Sequence, residues 1–129
     1  MFYNLKNQLI ARSFVFLAKL SPEILTTIFS LQRRLIELIA ETKITEFSLF
    51  ERYGETEETL PELEQIQNCF ERLKNPYSRL HTLTLRISEY YPVAPSAILE
   101  LLSETIEQAQ LSADVVAASL SETQKNWRL

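Results

Sequence analysis

Turning the chain by about 100° per residue divides residues 1–20 into two halves. Phe2, Leu5, Leu9, Ile10, Phe14, Phe16, Leu17 and Leu20 fall on one half. Asn4, Asn7, Gln8, Arg12 and Lys19 fall on the other, with Ala11, Val15 and Ala18 among them. The pattern predicts an amphipathic helix with a wide apolar face. Ser21-Pro22-Glu23 then supplies an N-cap serine, a proline at the first helical position and an early acid, the signature of a new helix start.

The next segment has the cleanest helical period in the chain. Ile24, Leu25, Ile28, Leu31, Leu35, Ile36, Leu38 and Ile39 share one face, opposed by Thr26, Ser30, Arg33, Arg34, Glu37 and Glu41. Gln32 falls inside the apolar arc and needs a polar partner or an edge position there. The period blurs at Thr42-Lys43-Ile44, so residues 22–53 form either one bent helix or two. The pattern resumes in "TEFSLFERY" and stops at Gly54, suited to a left-handed C-cap. An acidic linker near 54–60 follows.

Leu60-Pro61-Glu62 marks another start, and apolar positions continue through Leu63, Ile66, Phe70 and Leu73. Pro76 lacks a backbone N–H and disfavours helix at the preceding residue, which predicts a break or kink. Residues 77–91 carry Tyr77, Leu80, Leu83, Ile87, Tyr90 and Tyr91 on one arc. "TLTLRIS" also alternates with period two, but a lone strand has no partner, so helix is the expectation. After the stiff "YYPVAPSA" turn, a stripe runs through Leu102, Ile106, Ala109, Ala113, Val116, Leu120, Thr123 and Trp127. Its steps of four and three alternate as a heptad seam does. Unbroken, residues 96–127 would reach roughly 48 Å.

Composition narrows the classes. A single glycine in 129 residues argues against hairpin-rich folds and phosphate-cradling loops, since both depend on glycine. One cysteine rules out an internal disulfide and suits a reducing compartment. The net charge of −4 argues against a general nucleic-acid coat. The longest uncharged run in residues 1–20 is Ser13 to Ala18. That is shorter than a secretory core of ~7–15 apolar residues or a span of ~20, so the segment is expected to belong to the mature fold.

Candidate chemistry gathers in "NCFERLKNPYSRLHTL", residues 68–83, which holds the only cysteine, Cys69, and the only histidine, His81. On a continuous helix the two stand about 18 Å apart. Cysteine catalysis needs a base within hydrogen-bond reach, so Cys69 is read as a small buried hydrophobe. One histidine cannot supply a zinc or di-iron set, and no Glu-x-x-His spacing occurs. Arg72 lies nine residues before His81 and Arg79 two, neither at the spacing of the arginine–histidine pair in small helical ribonucleases. Cys69-Phe70-Glu71-Arg72 also lacks the Cys-x-Arg-Asp of bilin-bearing helical proteins.

The expected architecture is an all-α bundle of four to six helices in one domain spanning 1–129, with a long C-terminal helix carrying the heptad seam. The expected role is a non-catalytic protein–protein interaction module (an adaptor, assembly factor or small subunit) in the cytoplasm, with no cofactor or metal. Candidate contact residues are Ala11, Val15 and Ala18, the seam residues Leu102, Ala109, Ala113, Val116, Leu120 and Trp127, Tyr90 and Tyr91, and the basic pair Arg79 and Arg86. A protein partner is expected, but no nucleic acid and no transmembrane segment. The uncharged flanks of the seam favour packing inside the bundle over self-association. Two alternatives stand beside this reading. One is a minimal RNA-cleaving or nucleotide-handling enzyme using His81 with Arg79 or Arg86. The other is membrane-surface binding through the first segment, where Lys6, Arg12 and Lys19 lie.

Overall fold

The computed structural model describes residues 20–129 apart from Tyr91. Among them the chain is all-helical, with α1 at Pro22–Tyr53, α2 at Leu60–Ser88 and α3 at Ser96–Trp127. The four to six helices expected from sequence are therefore corrected to three among the described residues. The helix expected over residues 1–20 lies outside them.

Of the two alternatives left open for residues 22–53, the structure shows a single helix, and at Pro76 the helix is not broken; each outcome has a physical reason. At Thr42-Lys43-Ile44 the apolar period lapses because threonines occupy core positions. Thr42 and Thr45 are buried, and their hydroxyls donate to the carbonyls of Leu38 (2.7 Å) and Glu41 (2.8 Å) one turn back. A hydroxyl satisfied by its own helix can enter a core without an external partner. At Pro76 the helix continues although the proline removes one intrahelical bond. Leu73 and Leu80, on either side, are fully buried, so packing on both sides of the proline keeps the helix unbroken.

The termini follow the sequence signals. Ser21 accepts from the Ile24 N–H at 3.3 Å, with Pro22 at the start of α1. Gly54 ends α1, its N–H bonded to the Phe50 carbonyl at 2.8 Å, but its φ of +72° and ψ of −172° put it in a positive-φ extended conformation and not the left-handed helical cap expected. The acidic linker is a tied turn. Thr59, buried, accepts from the Thr56 N–H (2.8 Å) and donates to the Gly54 carbonyl (2.7 Å), while the Thr59 N–H reaches back to the Thr56 hydroxyl (3.1 Å). The glutamates project from it into solvent.

Each helix packs against the other two around one apolar cluster that includes Ile28, Leu35, Leu73, Leu80, Leu102, Ala109 and Val116. Towards the Gly54 end a polar layer crosses the bundle. Gln124 donates to the Thr45 hydroxyl (3.0 Å) and Thr123 donates to Glu62 (2.9 Å), with Leu49 and Ile66 buried beyond it. At the end of α3, Tyr53 meets Trp127 edge-on at 5.1 Å and its hydroxyl donates to the Trp127 carbonyl at 2.9 Å. Arg52 donates to the Arg128 carbonyl nearby.

The C-terminal stripe needs correction as well. It is not a narrow two-helix seam. The buried face of α3 adds Thr105 to Leu102, Ile106, Ala109, Ala113, Val116, Leu120 and Thr123, and Trp127 is only half-buried. A helix wedged between two neighbours has to bury more than the a and d positions that suffice for a two-stranded coiled coil. The three helices have nearly equal lengths of 32, 29 and 32 residues, so α3 has no long overhang for a second chain to cover.

Candidate interaction surface

The residues singled out from sequence separate into distinct places. Leu102, Ala109, Ala113, Val116 and Leu120 lie in the core of their own chain, so they offer a partner no surface. Tyr90 is half-buried against the same core, and Trp127 is held by Tyr53. Ala11, Val15, Ala18 and Tyr91 lie outside the described residues. Arg79 and Arg86 are both exposed, and Arg79 lines a cleft.

That cleft, about 540 Å³, runs between α2 and α3 beside Pro76. Arg72 and Arg79 stand on the α2 wall and Glu104 and Glu107 on the α3 wall, and no ion pair crosses it. Opposed walls with two charges of each sign leave no net field to gather an anion. His81 is not part of it. Two residues along a continuous helix turn a side chain through about 200°, so His81 and Arg79 leave α2 on opposite sides. Cys69 is buried, its Sγ 3.7 Å from the Ser119 hydroxyl, and the unbroken α2 keeps it far from His81. Among the described residues no group of three or more His, Cys, Asp or Glu could hold a metal ion.

The surface that stands out is one the sequence pattern did not separate. On α1, the buried residues from Ile24 to Leu49 occupy one side. Roughly 150° round the helix, Phe29, Ile36, Ala40, Ile44, Phe47 and Phe50 form a second apolar stripe. The five large side chains are 46–65 % exposed. Ile36 thus belongs to this outer stripe, not to the core face on which the sequence period places it. Phe29 and Phe47 lie 18 residues apart, five full turns, so they point the same way. The stripe is edged by Arg33, paired with Glu37 at 3.3 Å, and by Lys43, paired with Glu46 at 3.4 Å. Lys43 leans away towards α2, its ammonium 4.3 Å above the Phe70 ring. Scattered exposed apolar residues need no explanation; these six stand in one contiguous row along the helix.

No helix among the described residues is long and apolar enough to cross a membrane. Comparison with known proteins finds no matching family model, curated protein or solved structure.

Proposed function

We propose that this chain is a non-catalytic helical interaction module, an adaptor, assembly factor or small subunit, whose contact surface is the outer face of α1. The observation that carries the reading is the second apolar stripe. Five large side chains stay in water on a helix whose opposite side already fills the core. Exposed area on that scale is removed from water at about 25 cal/mol per Å² when a partner covers it. Aromatic side chains are among the residues that anchor protein interfaces. A cytoplasmic setting suits the single buried thiol.

The test compares tagged full-length protein with its Phe47→Glu variant, each purified from the native cell and quantified by mass spectrometry. Phe47 is exposed, so the variant should keep its helicity and melting temperature. One protein, whether another gene product or an untagged copy of this chain, should accompany the wild type stoichiometrically and be lost with the variant. Identical companions for both forms would end the reading.

A further inference from the structure

The identity of the occupant follows from the charges beside the stripe, and the argument rests on the outer face of α1 being a contact surface. Arg33 and Glu51 are 18 residues apart, five turns, and so leave α1 in the same direction about 27 Å apart. Each lies nine residues from Thr42, which is on the core side. When two identical helices pack antiparallel about a two-fold axis, residues of equal azimuth and equal distance from the axis meet. With the axis level with residue 42, Arg33 of one copy faces Glu51 of the other, twice over. The same register sets Ala40 against Ile44 of the opposite copy, a small residue against a large one.

Among the described residues nothing competes for these charges in a way that forbids the pairing. Arg33 uses Nε towards Glu37 and, with its forked guanidinium, keeps donors for a second carboxylate. Glu51 forms no ion pair among the described residues. Among the described residues Lys43 is the cation on α1 nearest the axis, and it is drawn off the stripe over Phe70, which relieves the like-charge contact the symmetry would otherwise create.

The area is sufficient. In this register Phe29 faces position 55, past the end of α1, so the contact is made by Ile36, Ile44, Phe47 and Phe50 together with the flanking Arg33, Ala40 and Glu51. That amounts to roughly 500 Å² per copy, or about 1,000 Å² for the pair, the size at which a specific interface begins.

We propose that α1 pairs with α1 of a second copy of this chain, antiparallel, with Arg33 bound to Glu51 across the two-fold axis. The test is sedimentation equilibrium of the full chain across a wide concentration range. The wild type should approach twice its 15.0 kDa. Ile44→Glu should stay monomeric with unchanged helicity. Arg33→Glu or Glu51→Arg alone should weaken the pair about tenfold, each turning two attractions into repulsions, and the double variant should recover it.

A wild type that is monomeric throughout overturns the pairing. So does a dimer indifferent to Ile44→Glu, because it then forms elsewhere. A dimer lost with Ile44→Glu but not rescued by the double swap overturns the register. If the wild type is monomeric yet its cellular companion is lost with Phe47→Glu, the second copy alone is refuted. If neither dimer nor companion depends on the stripe, the functional reading falls with it.

Discussion

Replacing Pro76 by alanine should stabilise the protein, although the proline sits in the middle of a 29-residue helix between two fully buried leucines. Proline in a helix interior costs about 3 kcal/mol relative to alanine, through the missing N–H and the clash with the carbonyl four residues back. Against that gain stand two losses. The half-buried ring covers the floor of the α2/α3 cleft, and giving up that partial burial forfeits about 1 kcal/mol. Alanine also frees the unfolded chain, worth roughly 0.4–1 kcal/mol in the same direction.

The net expectation for Pro76→Ala is a gain of about 1–2 kcal/mol, which in a chain of this size raises Tm by roughly 3–8 °C. Thermal and urea unfolding followed by far-UV circular dichroism would measure it, at matched concentration because the proposed self-pairing would make apparent stability concentration-dependent. In hydrogen exchange, the new amide at position 76 should be protected, since the Arg72 carbonyl lies one turn away to accept it. A variant that melts at or below the wild type refutes the reasoning. The ring would then be a packing element whose contacts outweigh the strain it imposes on α2.

Two further contrasts follow. Leu35→Ala, at a fully buried core position, should cost about 2–5 kcal/mol, whereas Ile44→Ala on the outer stripe should change the stability of dilute protein by no more than about 0.5 kcal/mol. Urea titration of both decides it, and equal losses would mean the outer stripe is part of the core. Gly54→Ala should lower stability by about 1–3 kcal/mol through its φ of +72° and ψ of −172° alone, because an added Cβ meets no atom within 4 Å. A loss too small to measure would show that the α1–α2 turn relaxes freely.

Much of the helical frame was legible in the sequence because its signals are local. Ser21-Pro22 and Gly54 bound α1 as capping chemistry requires. The period of Leu31, Leu35 and Leu38 marks the core side. What was not legible depends on competition between local and tertiary terms. Thr42 and Thr45 look polar to a periodicity argument, yet each hydroxyl is satisfied one turn back, so the helix does not end there. Pro76 carries a local penalty that the burial of Leu73 and Leu80 exceeds. The outer stripe was hidden for a different reason. A single hydrophobic arc assigns every apolar residue to one face, and it drew Ile36 to the core side. The 18-residue spacing of Phe29 and Phe47, repeated by Arg33 and Glu51, was the available sign of a second face.

If the outer face of α1 is covered in the cell, site-specific photocrosslinking will capture what covers it. A photoreactive phenylalanine analogue placed at Phe47 and, in a separate protein, at exposed Gln67 of α2 would be activated in living native cells. A covered face yields one discrete crosslinked product from position 47 and none from position 67. Absence of any product at 47, or the same diffuse products from both positions, would contradict it.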